Sequence, residues 1–117
     1  TPQGIANTVW AFATLGVNDP YLMAAVGSRV LKKGTLARFN PQNVANTVWA
    51  FARVGVEDTE LMAAVAVQLL EPGVMEGLSP QEVSNIAIGY ATLDIEDPAL
   101  FTALAARATH GDALVLF

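Results

Sequence analysis

One block of sequence recurs at a fixed spacing, and this feature limits what the chain can fold into more than any other. Residues 1–13 (TPQGIANTVWAFA) return as 40–52 (NPQNVANTVWAFA) and, with more substitutions, as 79–91 (SPQEVSNIAIGYA). The period is 39 residues, and a fixed period in this range is typical of stacked supersecondary units that pack mainly against their neighbours. The sequence therefore predicts a single repeat domain with three units: 1–39, 40–78 and 79–117.

Each unit contains the signals of two helices joined by a turn. The N-cap residues expected for the first helices are Thr1, Asn40 and Ser79, each followed by proline. Those expected for the second helices are Asp19, Asp58 and Asp97. Gly16, Gly55 and Asp94 are the expected ends of the first helices, and no segment alternates as a strand would. The predicted fold is all-α, a right-handed α-solenoid of three 39-residue helix-turn-helix repeats.

Composition and charge limit the functional classes. Hydrophobic residues make up 53% of the chain, but no stretch approaches the ~20 apolar residues that a membrane span needs. There is no cysteine, which excludes disulfides and thiolate metal sites. The net charge is −5, with four basic residues against one acidic residue in the first unit (+3) and −4 in each of the other two. A self-sufficient nucleic-acid binder normally has a basic face, which two of the units lack.

The sequence contains no arrangement of residues that is typical of a catalytic or metal-binding site. His110 is the only histidine, and it has no second ligand at metal spacing. The adjacent carboxylates Glu57-Asp58 and Glu96-Asp97 fall where they would cap helices and complement the helix dipole. No nucleophile is paired with a base. We expect no enzyme activity, no metal, no cofactor and no small-molecule substrate.

The repeated motif resembles a known family. Pro-Gln-x-x-Ala-Asn-Thr-x-Trp-Ala-Phe-Ala, followed by a glycine stop and an Asp-Pro-x-Leu second helix, is similar to the octotricopeptide repeat and to the repeats of RAP-domain and FAST-kinase-like proteins. The resemblance covers the whole chain and is strongest in the first two units. It implies an α-solenoid that binds single-stranded RNA, in the chloroplast or mitochondrion of algae and related protists. No targeting segment is visible, and we expect the chain to be a segment of a longer array.

A polar stripe on the first helix of each unit is the expected RNA-contacting surface. Helical repeats read splayed bases with a few polar side chains per unit. Variation between units is expected if each unit recognises a different base. Exposed positions also vary when no function constrains them, and both interpretations stay open. The candidates are Gly4, Asn7, Thr8 and Thr14 in the first unit, Asn43, Asn46, Thr47 and Arg53 in the second, and Glu82, Asn85, Ile86 and Thr92 in the third.

The asparagines of this stripe are the same in all three units. Asparagine is unfavourable inside helices, so Asn7, Asn46 and Asn85 are expected to make a compensating interaction. Their amides could bind base edges, or they could form a ladder that ties each helix to a linker backbone. We favour the ladder, because a specificity residue should vary with the base that it reads.

Two further groups have alternative explanations. The basic residues Arg29, Lys32, Lys33 and Arg38 could contact phosphates, or they could compensate a helix dipole at the end of a second helix and lie in a solvated linker. Trp10 and Trp49 could stack on bases, but a helical wheel places them on the apolar arc, which predicts core packing.

The sequence therefore predicts an RNA-binding helical segment that acts in organellar RNA processing, stability or translation. The alternative is a protein–protein interaction scaffold, or a structural subunit of an organellar ribosome or other large assembly, without direct RNA reading. A helical repeat of the HEAT or TPR type without a nucleic-acid role is a third possibility. The expected partners are single-stranded RNA or rRNA, and other protein subunits.

Overall fold

The computed structural model describes residues 1–110, and within them the chain forms six α-helices and no strand. Short 3-10 turns at Leu36–Arg38 and Met75–Gly77 lie in the two linkers between helix pairs. The all-α prediction is confirmed for the described residues. The helices are α1 (Pro2–Thr14), α2 (Pro20–Leu31), α3 (Pro41–Arg53), α4 (Thr59–Leu69), α5 (Pro80–Thr92) and α6 (Pro98–Thr109).

The helix starts follow the predicted capping chemistry. The side-chain oxygens of Thr1, Asn40 and Ser79 each accept a hydrogen bond from a first-turn backbone N–H, at 3.0, 2.7 and 3.1 Å. The Ser79 N–H also donates to the Glu82 carboxylate at 2.8 Å, which completes a capping box. The second helices are capped in the same way by Asp19, Asp58 and Asp97.

The turn after each first helix is also the same in all three places. Gly16 and Gly55 have φ of 72° and 73°, and Asp94 adopts a φ of 56° at the equivalent position. This left-handed conformation costs a side-chain-bearing residue roughly 1 kcal/mol, so the third turn is the least favourable. The next backbone N–H donates to the carbonyl five residues earlier, at 2.9 Å in each turn. The position of each second helix is therefore set by a local hydrogen-bonded turn.

The first helices form a row in which α3 packs against both α1 and α5. Small side chains such as Ala45, Ala50 and Ala52 are buried in this row, which lets the helices lie close together. The second helices contact each other less, with α2 against α4 and α6 against the second linker. The core therefore runs along the row of first helices and between each helix pair.

The glycine inside α5, Gly89, is explained by the close packing of α5 against α3. Glycine inside a helix costs about 1 kcal/mol relative to alanine, so Gly89 is unfavourable by propensity alone. A Cβ placed on Gly89 would lie 2.5 Å from Cγ1 of Val48 and 3.4 Å from the Val48 carbonyl oxygen. The equivalent residue of α3, Ala50, is fully buried. Gly89 therefore allows α5 to approach α3 more closely than an alanine would.

Tyr90 links α5 to α4 from inside the core. Its hydroxyl donates a hydrogen bond to the Met62 carbonyl oxygen at 2.6 Å, and its ring packs edge-on against Phe101 with 6.5 Å between centroids. Burial, aided by the negative charge of Asp97, raises the pKa of Tyr90 far above its usual value. The phenol thus stays protonated under conditions in which the unfolded chain would release that proton.

We expect Tyr90→Phe to lower the free energy of unfolding by about 1 kcal/mol at neutral pH, because one buried hydrogen bond is lost. The folded-state pKa is raised, so the contribution of Tyr90 is complete below its unfolded pKa of about 10 and is lost as pH rises above that value. The variant should therefore lose less stability than the wild type on alkaline titration. Denaturant unfolding at neutral and alkaline pH measures this, with Tyr21→Phe as the exposed control. An alkaline loss equal to that of the wild type would contradict the assignment.

Candidate nucleic-acid interface

The solvent-facing stripe of the first helices is rotated from the predicted one. On α3 it contains Gln42, Asn46, Trp49 and Arg53, of which the first and last are exposed and the other two partly buried. These residues are spaced as neighbours on one side of a helix. We call this stripe and its counterparts the amide–tryptophan face. The counterparts are Gln3, Asn7, Trp10 and Thr14 on α1, and Gln81, Asn85, Ile88 and Thr92 on α5.

Three of the predicted RNA-contacting residues are buried. Asn43 and Thr47 are only 7% and 1% exposed, and the Thr47 hydroxyl donates to the Asn43 carbonyl oxygen at 2.8 Å. At the Thr47 position, Ile86 of α5 is fully buried on the side that faces α3, whereas Thr8 of α1 is exposed because no first helix among residues 1–110 packs on that side of α1. The prediction that Asn43, Thr47 and Ile86 lie on an exposed stripe is therefore wrong.

Some of the other candidates lie outside the amide–tryptophan face, and some lie on it. Glu82 is partly buried, and its carboxylate is engaged by the Ser79 N–H. Gly4 and Thr8 are exposed on the side of α1 that corresponds to the buried side of α3. The candidates that do lie on the amide–tryptophan face are Asn7, Thr14, Asn46, Arg53, Asn85 and Thr92. The basic candidates Arg29, Lys32 and Lys33 are exposed at the end of α2, outside that face.

The tryptophans lie at the surface. Trp10 is 44% exposed and Trp49 is partly buried, with 6.2 Å between ring centroids and 33° between ring planes. Core packing, which the wheel predicts, is wrong for Trp10 and holds only in part for Trp49. Ile88, which is 56% exposed, continues the row on α5. The first helices thus present an apolar row with two large rings that a planar ligand could contact.

The three asparagines do not form the predicted ladder. No hydrogen bond joins Asn7, Asn46 or Asn85 to a linker within residues 1–110. Asn85 accepts a hydrogen bond from the Gln81 amide at 3.1 Å, within the same helix. In this part of the chain the side-chain amides of Asn7 and Asn46 bind no protein group, so their donors and acceptors are available to a ligand.

The charge of the amide–tryptophan face differs from that of the chain. The sequence has eleven acidic residues, and none of them belongs to this face, whose one charged residue is Arg53. Carboxylates occupy helix starts instead, such as those of Asp19, Asp58 and Asp97. A polyanion approaching this face meets less repulsion than the net charge of −5 indicates.

Other surfaces of the described residues offer little chemistry. Residues 1–110 hold no group of His, Asp and Glu side chains suited to a metal ion, and no helix among them is long and apolar enough to cross a membrane. A groove of about 640 Å³ lies between the ends of α4 and α6. Glu71 and Glu76 line it, which makes it unsuitable for phosphate, and Arg107 on its wall donates to the Leu78 carbonyl oxygen at 2.9 Å.

The chain matches the model of a known protein family. The model of a family described as RNA-editing substrate-binding complex 6 protein matches residues 2–113, which is nearly the whole chain. No curated protein matches the chain. The match is to an RNA-associated helical family, as the resemblance implied, and membership of the octotricopeptide-repeat family stays a prediction.

Proposed function

We propose, because the chain belongs to the family of RNA-editing substrate-binding complex 6 proteins, that it binds single-stranded RNA as a non-catalytic part of an RNA-processing complex. The observation that carries the proposal is the pair of surface tryptophans, Trp10 and Trp49, in contact on a face without carboxylates. Stacking on aromatic side chains contributes about 1–3 kcal/mol per base and tolerates any sequence.

The spacing of the two rings favours a single strand. Their centroids are 6.2 Å apart, whereas stacked bases of one strand rise by about 3.4 Å. Neighbouring bases would have to be unstacked to meet one ring each, which a flexible single strand allows and a duplex resists. Asn7 and Asn46 lie on the same helix faces as the rings, where their amides could bind base edges.

We extend the proposal to the architecture and the compartment. The six helices would form a right-handed α-solenoid of three 39-residue repeats, 1–39, 40–78 and 79–117, related in architecture to the octotricopeptide repeat. The support is that α3 packs against both α1 and α5, while caps and turns recur at the same spacing. Of the two organelles that the resemblance implies, we propose the mitochondrion, which agrees with the family.

Fluorescence anisotropy with labelled RNA tests the binding. The chain should bind a single-stranded oligonucleotide with an affinity that falls as salt rises, because counterions are released from phosphates. An RNA duplex of the same sequence should compete weakly. Absence of salt-dependent binding to single strands, or equal affinity for the duplex, would overturn the proposal.

Arg53→Gln should reduce the salt dependence of RNA binding. Arg53 is the one charge on the face, so its loss removes at most one phosphate contact and should lower the slope of log Kobs against log salt by about one. Replacing Lys32 and Lys33 together with alanine tests the basic run in the same assay. An unchanged slope in the Arg53 variant would mean that Arg53 does not contact phosphates. An unchanged slope in the double variant would exclude phosphate contacts by Lys32 and Lys33.

Asn46→Ala should weaken RNA binding severalfold without loss of thermal stability. Alanine has the better helix propensity by about 0.5 kcal/mol, and the Asn46 amide binds no other group within the described residues. One lost hydrogen bond to a base corresponds to about 1 kcal/mol. Thermal unfolding and anisotropy on the same sample separate the two effects, with Asn18→Ala, an exposed asparagine outside that face, as the control. A lower Tm with unchanged RNA affinity would contradict this assignment.

A second candidate is a protein-interaction scaffold in a large assembly, such as an organellar ribosome. The observation that favours it is the exposed apolar row of Trp10 and Ile88, since tryptophan is common at the centre of protein interfaces. The acidic balance of the second and third units adds support. In that case, substitutions on the amide–tryptophan face would abolish binding to a protein subunit and leave RNA affinity unchanged.

A further inference from the structure

We propose that the RNA site of this chain is confined to its first two units, and that the third unit does not stack on a base. The proposal rests on the RNA binding proposed above and defines the extent of that site. The ligand is a stretch of single-stranded RNA that stacks two bases, one on Trp10 of α1 and one on Trp49 of α3. Ile88 of α5 is the residue that ends the stacking row.

Ile88 has the position in α5 that the tryptophans have in α1 and α3, since it follows Trp49 by 39 residues. Its side chain is 56% exposed and that of Trp10 is 44% exposed, so a strand that follows the amide–tryptophan face meets both side chains. A base stacks on a π-face, which an isoleucine does not have. The third unit therefore offers the strand an aliphatic contact where the other two units offer a ring.

The side-chain amides of the third unit are engaged with each other. The Gln81 amide donates to Oδ1 of Asn85 at 3.1 Å, one turn further along α5. Neither the corresponding pair of α1 nor that of α3 forms this hydrogen bond within the described residues. A base that approached Asn85 would have to compete with the Gln81 amide for that oxygen. Hydrogen bonding to base edges is therefore less favourable on α5 than on α1 and α3.

The third unit also lacks a positive charge on this face. The second and third units each have a net charge of −4, but Arg53 places a positive charge on the α3 part of the face, and its counterpart on α5 is Thr92. Arg107, the only Lys or Arg of the third unit, lies on α6 and donates to the Leu78 carbonyl oxygen at 2.9 Å. Phosphates therefore gain no electrostatic attraction on the α5 part of the face.

Position 88 has room for a larger side chain. Ile88 is more than half exposed, so the ring of Ile88→Trp need not enter the core. The close contact of α5 with α3 is made by the next residue, Gly89, which faces Val48. Trp10 and Trp49 lie side by side on neighbouring first helices, with 6.2 Å between ring centroids. Ile88→Trp should therefore extend the row to three rings.

Fluorescence anisotropy with labelled oligouridines of increasing length tests the proposal. Ile88→Trp should bind long oligouridines at least about fivefold more tightly than the wild type, because one more stacked base contributes ~1 kcal/mol or more. The gain should appear only above the shortest length at which the wild type reaches its full affinity. Ile88→Ala should bind like the wild type, because the isoleucine has no stacking contact to lose.

Val67→Trp is the matched control for an added tryptophan. Val67 is 64% exposed on α4, outside the amide–tryptophan face, so its variant should bind RNA no more tightly than the wild type. Thermal unfolding of each variant shows whether the fold is kept. Ile88→Ala introduces no larger side chain, so it tests the proposal even if Ile88→Trp does not fold.

Three outcomes would overturn the proposal: a loss of affinity in Ile88→Ala as large as that in Trp49→Ala, a folded Ile88→Trp protein without a gain, or an equal gain in Val67→Trp. A failure of the proposed function is distinguishable, because the wild type itself would then not bind single-stranded RNA. If the wild type binds and substitution of Trp10 and Trp49 weakens binding, a missing gain in Ile88→Trp overturns only the extent of the site.

Discussion

Gly89→Leu is expected to lower the free energy of unfolding by about 3 kcal/mol, the largest loss of stability that we predict for a single change. The new Cβ would meet Val48 Cγ1 at 2.5 Å, and the rest of the side chain would have to enter the contact between α3 and α5. The Val48 carbonyl oxygen would be in ordinary van der Waals contact with the new Cβ at 3.4 Å, so the overlap is with the Val48 side chain, and a leucine must also place three further carbon atoms beyond Cβ at this buried position. For a domain of this size the loss corresponds to a decrease in Tm of about 15 °C.

Ala11→Leu is the matched control, because it has the same position in α1, where the side chain is exposed. It should change stability by less than about 0.5 kcal/mol. Val48→Ala removes the nearest atom, so a double-mutant cycle with Gly89→Ala should show that the two changes compensate each other. Equal Tm values for the two leucine variants would show that α5 does not approach α3 as described.

Replacing Trp10 and Trp49 together with alanine should weaken binding to single-stranded RNA by about a hundredfold. Each ring that stacks on a base contributes about 1–3 kcal/mol, and roughly 3 kcal/mol in total corresponds to that factor. Phenylalanine at both positions should restore most of the affinity, because it keeps a stacking surface. Because Trp10 is 44% exposed and Trp49 is partly buried, thermal unfolding of each variant must accompany the binding assay to show that the fold is kept.

Tyr21→Ala serves as the control for the tryptophan variants. It removes another aromatic ring, 88% exposed on α2 and outside the amide–tryptophan face. RNA affinity should not change. An affinity loss equal to that of the tryptophan variants, or full affinity in the doubly substituted protein, would mean that the rings do not contact RNA.

The helices could be predicted from the sequence because their signals are local. The cap residue at Ser79, the reciprocal carboxylate of Glu82 and the left-handed residues Gly16 and Gly55 lie within a few positions of the ends that they define. The structure places each of them as the pattern indicates. The 3-10 turns in the linkers, in contrast, lack side-chain cap hydrogen bonds and had no comparable signal.

The direction of the exposed stripe could not be found from one helix alone. A helical wheel gives the angular position of each residue, and choosing the exposed side by polarity puts Thr47 outside and Trp49 inside. In the structure, the first helices pack through small residues, so Ala50 is buried and the large ring of Trp49 is left at the edge. The change from Ala50 to Gly89 was the available signal, because a glycine at an alanine position indicates a close helix contact.

The contacts between units could not be predicted from the sequence either. The hydrogen bond from the Tyr90 hydroxyl to the Met62 carbonyl joins residues 28 positions apart, and it depends on how α5 docks on α4. Nothing in the spacing of the motif distinguishes Tyr90 from its counterparts Phe12 and Phe51 in this respect. At this core position the first two units have phenylalanine, and only the third unit has a polar atom, the phenol oxygen of Tyr90.

The most direct test of the account is acrylamide quenching of intrinsic tryptophan fluorescence, with and without single-stranded RNA. Both tryptophans of the chain lie on the amide–tryptophan face, so the signal comes from that face alone. The account predicts efficient quenching of the RNA-free protein and clear protection when single-stranded RNA is saturating. RNA that binds, as measured by anisotropy, while acrylamide quenching stays the same would contradict the claim that the surface tryptophans contact it.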